Sequence, residues 1–176
     1  MVLPGDTRIF VSDEAHLAAI HRNVYITAWW GETTAARLRR VGEIQNELAR
    51  KWPKGFVGLA LIRSANATLS AEVRAEAEKL STGASPNLKA IAQIIYGSGF
   101  VAAAIRSVAT GMILLARSQR PSKIFGTLES GATWLVPYMN ALPEPADKIT
   151  DTALVRNVRD IVAHAAPKGS ENVAPW

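Results

Sequence analysis

Hydrophobic and polar positions along the chain follow two rhythms, and their alternation organises the molecule. Asn23 to Trp30 (NVYITAWW) is rich in β-branched and aromatic residues and stops at Gly31, which predicts a strand followed by a turn. Arg8 to Val11 predicts a shorter strand before it, paired with it as an antiparallel hairpin. From Glu32 the period lengthens. Leu38, Val41, Ile44 and Leu48 recur at helical spacing, and Glu32 falls in the predicted first turn, where a negative charge suits the helix dipole. Trp52-Pro53 ends this helix, because a residue before proline disfavours helical angles. Phe56 to Ile62 is then a continuous apolar run, the mark of a strand covered on both faces.

The same alternation continues. Ser70 reads as the N-cap of a helix carrying Val73, Ala77 and Leu80. Leu88 to Tyr96 predicts a second buried strand, and Gly97-Ser98-Gly99 a turn into a helix beginning at Phe100, with Val101, Ile105, Val108, Met112 and Leu115 as one stripe. Lys123 to Thr127 predicts a short strand, and Glu129 to Ala141 a helix with Ala132, Leu135, Val136 and Met139 inward. Thr150 caps a last helix with Leu154, Val158, Ile161 and Val162 on one face.

Strand–helix alternation requires parallel pairing through right-handed crossovers. The expected fold is therefore a layered α/β domain. It has a mixed, mostly parallel sheet, an N-terminal antiparallel edge strand, helices packed on the sheet, and a C-terminal helical extension. The expected division is residues 1–145 for the α/β domain, 146–166 for the appended helix and 167–176 for a flexible tail.

Composition narrows the class. A chain of 176 residues with 48% hydrophobic residues buries a sizeable core and is too apolar for a disordered protein. Phe100 to Ala116 is broken by Arg106, which argues against a transmembrane helix, and no basic-then-apolar leader opens the sequence. The expected location is the cytoplasm. The absence of cysteine excludes disulfides, thiolate catalysis and Cys-ligated metals.

The net charge is +5, and no acidic residue lies between Glu78 and Glu129, a span holding Lys79, Lys89, Arg106, Arg117, Arg120 and Lys123. These cations read first as solvated helix ends and loops. They form no block of five and do not alternate with aromatics, so no specific nucleic-acid partner is expected.

Candidate chemistry is sparse. Gly97 to Ala102 matches G-x-G-x-x-A between a strand and a helix, the context of a dinucleotide loop. The acid such a loop needs about 20 residues on is missing, which leaves a glycine turn. An anionic lipid headgroup or a nucleotide there would meet Gly97, Ser98, Gly99 and Arg106. His16, His21 and His164 stand in no catalytic or metal-ligand spacing. No catalytic residue, metal or cofactor is expected, and the chain reads as a non-enzyme. Adjacent Trp29 and Trp30 point to opposite faces of their strand. Trp30, Leu154, Val158 and Ile161 form the candidate interface of a homodimer.

The order of elements is similar to that of the STAS domain, shared by sulfate transporters and bacterial anti-sigma-factor antagonists. NVYITAWWGETT, the run from Leu88 to Leu115, and KIFGTLESGATWL resemble divergent SpoIIAA-like, or STAS/SEC14-type, members of the myxobacterial kind. Phe125, Glu129, Ala132 and Trp134-Leu135 stand at that family's recurrent positions. The resemblance implies a non-catalytic regulatory module that binds another protein. It also implies a phosphorylated hydroxyl where a helix opens after the central strand. RSANATLSAEV supplies Ser64, Thr68 and Ser70 there, without the family's Asp-Ser pair and glycine. The SEC14-like side of the resemblance implies the alternative, a carrier or sensor of a small apolar or anionic ligand, with Phe100, Ile105 and Phe125 lining its pocket.

Overall fold

Six strands form one mixed sheet whose spatial order is the order of the chain: β1 (Thr7–Ser12), β2 (His16–His21), β3 (Val24–Trp29), β4 (Phe56–Arg63), β5 (Leu88–Tyr96) and β6 (Ser122–Phe125). The computed structural model describes residues 3–63, 70–83, 85–97 and 120–166. Within them lie four helices, α1 (Ala35–Lys51), α2 (Ala71–Thr82), α3 (Leu128–Ala141) and α4 (Asp151–Ala165). β1, β2 and β3 pair antiparallel, and β3 to β6 pair parallel. The α/β fold with an antiparallel edge is thus as expected. The helix predicted from Phe100, and the tail 167–176, lie outside the described residues.

One strand was not anticipated. The predicted hairpin of Arg8–Val11 with Asn23–Trp30 is replaced by a three-stranded meander, with HLAAIH (β2) between the two. All six residues of β2 are buried, so its pattern does not alternate. Leu17 and Ala19 join one core cluster, Ala18 and Ile20 the other. Glu32 also differs from expectation. α1 starts at Ala35, and Thr34 caps it by accepting the Arg37 N–H at 3.3 Å. Glu32 lies ahead of the helix, its carbonyl accepting from the Arg37 guanidinium. A neutral hydroxyl, not a carboxylate, therefore satisfies the first turn.

Each face of the sheet is packed. Leu38, Val41, Ile44 and Leu48 of α1 and Val73 of α2 cover Ile20, Tyr25, Trp29 and Phe56. Parallel neighbours laid down in one direction by right-handed crossovers place both helices on that face. On the opposite face, α3 (Leu128, Ala132, Leu135, Met139) and α4 (Leu154, Val158, Ile161, Val162) cover Leu17, Ala19, Ile26, Leu59 and Ile94. Leu154, Val158 and Ile161 are 0% exposed in the single chain. The homodimer interface expected on them is therefore not on the surface. The helix turns that stripe onto its own sheet and belongs to the same core. Among the described residues no helix is long and apolar enough to cross a membrane.

Candidate functional site

The parallel strands end together at one edge of the sheet, where α/β proteins commonly place ligands. Antiparallel β2 begins at that edge, with His16 opposite Trp29. Asp13 closes the turn from β1. Its Oδ1 accepts the backbone N–H groups of Ala15 (2.7 Å) and His16 (2.9 Å). Its Oδ2 lies 3.1 Å from His16 Nδ1 and 3.6 Å from Arg37 Nε. Burial alone would raise the Asp13 carboxyl, but the two backbone N–H groups and the His16 ring outweigh it and hold it below the usual carboxylate range. The His16 ring stacks on Trp29, centroids 4.8 Å apart and planes within 19°. Its Nε2 is buried without a hydrogen-bond partner.

Gly31 follows this cluster and is needed for close approach. A Cβ there would meet Ala15 Cα and Cβ at 2.8 Å, while the Gly31 and Trp30 N–H groups both donate to the Ala15 carbonyl. The result is a rigid acid–imidazole–indole stack. Among the described residues no hydroxyl bonds to Nε2.

Of the residues singled out from sequence, Ser70 caps α2, its hydroxyl accepting the Val73 N–H at 3.2 Å. Gly97 ends β5 with φ +141°, an angle that favours glycine. Trp30 is half-buried against the α3–α4 side of the core. Ser64, Thr68, Ser98, Gly99, Arg106, Phe100 and Ile105 lie outside the described residues. Phe125 is packed on Trp134 at 5.7 Å between centroids. Tyr96, at the end of β5, has its phenol pushed above the usual range by burial and by Glu129. Among the described residues no cluster of three or more His, Cys, Asp or Glu is placed to hold a metal ion.

The opposite edge of the sheet carries an open groove of about 500 Å³, lined in part by Asp6, His21, Arg22, Lys148 and Asn157. Asp6 and Arg22 both have left-handed backbone angles, φ +60° and +56°, and the Arg22 N–H donates to the Asp6 carbonyl. The Arg22 side chain reaches across to Asp147, bonding both its carboxylate and its carbonyl. That contact holds the Asp147 carboxyl below its usual range. Asn23 donates to the carbonyls of Met139 and Glu144, so the β2–β3 turn is tied to the connection between α3 and α4.

A third feature is an aromatic strip. Trp134 lies 4.9 Å from Tyr138 and stacks at a tilt between it and Phe125. All three are partly exposed, and Lys123 stands 5.5 Å over the Phe125 ring. The spacing of Trp134 and Tyr138, one helical turn apart, was visible in the sequence; their position beside the edge strand β6 was not. No family model, curated protein or solved structure matches the chain.

Proposed function

We propose that this chain is a non-catalytic regulatory module of STAS-like kind, acting in the cytoplasm by docking to protein, with a second copy of itself as partner. The strip Phe125–Trp134–Tyr138 beside β6 carries this reading. Among the described residues β6 is the last strand of the sheet, and no described strand pairs with its outer row of backbone N–H and C=O groups. Such an edge accepts another strand, and two copies of the same short edge pair antiparallel about a two-fold axis. The aromatic strip adds apolar area next to that edge, in the residue types that dominate interface energetics.

Strand–helix alternation from β3 to β5 supports the STAS-like part of the reading. Phosphorylation at the exposed Ser70 is the regulatory part. A phosphate there would gain from the α2 dipole and carry about two negative charges. Sedimentation of the wild type and Trp134→Glu tests the docking. A dimer that becomes monomeric on substitution is the expected result. A wild-type monomer at high concentration rejects self-docking.

A further inference from the structure

The Ile91 N–H of β5 donates to the Pro121 carbonyl at 3.0 Å, and Ile91 stands opposite Ser122. Along a strand the backbone groups of alternate residues turn to opposite sides. β6 therefore turns the N–H and C=O of Lys123 and the N–H of Phe125 toward β5, and those of Ser122 and Ile124 away from it. Side chains alternate between the two faces of the sheet in the same way. Lys123 and Phe125 share the α3 face, where the Lys123 ammonium stands over the Phe125 ring and Phe125 packs on Trp134. Ser122 and Ile124 take the other face. Of the four, Lys123 is exposed and the rest are half-buried.

A two-fold axis between two such edges restricts which residues meet. Residues that exchange hydrogen bonds across an antiparallel pair must both face outward, so strands of four residues overlap well with the axis beside Lys123 or beside Ile124. With the axis at Lys123, two ammonium groups stand directly opposite, on Cα atoms about 4.5 Å apart, and like charges so placed repel. With the axis at Ile124, Lys123 falls opposite the partner's Phe125, and each cation meets a ring instead of another cation. Ile124 then meets its own copy on the other face. Ser122 falls opposite Gly126, where a Cβ would meet nothing within 4 Å and a second backbone has room. A further slip in either direction sets Lys123 against Pro121 or against Thr127, where the chain has already turned to cap α3.

Resting on the self-docking reading above, we propose that two copies join through β6 with Ile124 on the two-fold axis and Lys123 of each copy against the Phe125 ring of the other. The axis stands perpendicular to the sheet. Both α3 helices therefore lie on one face of a continuous sheet, and the two strips Phe125–Trp134–Tyr138 adjoin there. Charge selects this register, and apolar area alone would not: the neighbouring register keeps the same strip and opposes two lysines.

The chain has no cysteine, so single-cysteine variants of the full chain each report one contact. Under mild oxidation Ile124→Cys should give a disulfide-linked dimer, because its Cα atoms would lie about 5.5 Å apart across the axis. Ser122→Cys alone should give about tenfold less, its two copies standing about 13 Å apart along the strands, beyond the reach of a disulfide. Ser122→Cys mixed with Gly126→Cys should link one chain to the other, which tests the register even if Ile124→Cys folds poorly. Sedimentation of the same proteins in reductant separates the two ways of failing. A monomer throughout overturns self-docking and the register with it. A dimer in which neither Ile124→Cys nor the Ser122→Cys and Gly126→Cys mixture links overturns the register alone, as does linkage of Ser122→Cys to Ile124→Cys, the mark of the lysine-centred pairing.

Discussion

β2 carries a histidine at each end, both almost wholly buried, yet the two ends are built differently. His16 faces a carboxylate that is itself fixed by two backbone N–H groups and neighboured by Arg37. His21 faces a hydroxyl and an amide, with the nearest influential cation opposing a charge on it. The residue type, the strand and the depth of burial are the same. What each ring is fastened to is decided by groups brought in from elsewhere: Asp13 by a local turn, Asn157 by a helix 136 positions away in the chain. Burial makes a histidine consequential, and its partners decide which perturbation undoes it.

The His16 end should break hardest. Asp13→Ala removes the acceptor of two backbone N–H groups and the charge beside His16, and should cost about 2–3 kcal/mol in urea unfolding at neutral pH. A loss below about 0.5 kcal/mol would mean that the turn is held by something other than this carboxylate. At the His21 end, Asn157→Leu removes one neutral bond and should cost about 1 kcal/mol by the same measurement. If it costs more than Asp13→Ala, the contrast between charged and neutral fastening is wrong.

Acid should separate the two ends. The His21 value in the folded chain lies below 6.5, so the unfolded chain takes up the proton first. The stability this ring gives is therefore full above 6.5 and is lost as pH falls through the lower folded value. Asp13 is depressed relative to 3.8, so its contribution is present above 3.8 and disappears only in stronger acid. Thermal unfolding followed against pH should show two separate declines, with His21→Gln removing the upper one alone. A single decline untouched by that substitution would contradict the assignment. The smallest effect should come from Arg37→Gln. Arg37 is a partly exposed neighbour 3.6 Å from Asp13, and its loss should shift stability by no more than about 0.5 kcal/mol in the same urea assay.

Much of the fold was legible because its signals are local. Ser70 and Thr150 cap helices where capping chemistry placed them, and the apolar runs at Phe56 and Leu88 are strands, the second with one face open at Lys89 and half-buried at Ile91 and Gln93. β2 escaped because HLAAIH has neither β-branched enrichment nor alternation, and its burial follows from being central in a sheet that its own sequence does not announce. The stripe Leu154–Val158–Ile161 was legible as a stripe, but not its destination. Periodicity shows that a face is apolar and leaves open whether the chain's own sheet or a second copy covers it. The histidine sites failed for a related reason. Asp13 and His16 lie three apart, with Ser12-Asp13 signalling a turn, so that pair had a readable trace. The contact of His21 with Asn157 spans the length of the domain and leaves no spacing to find.

The sheet's sequential order has a consequence for manufacture. Each strand's neighbour is the next one translated, so the sheet can be laid down from β1 to β6 as the chain is made, with no gap waiting for a later strand. The cover on the meander's inner face comes last. α4 returns to the first hairpin, and Ser12 Oγ donates to the Ala165 carbonyl across 153 residues. Until that helix has been synthesised, Leu17, Ala19 and Val24 have no α4 above them and the nascent chain carries an oily face. A message cut short between the codons for Ala141 and Ala165 would release a chain with its sheet complete and that face bare, a natural substrate for chaperones.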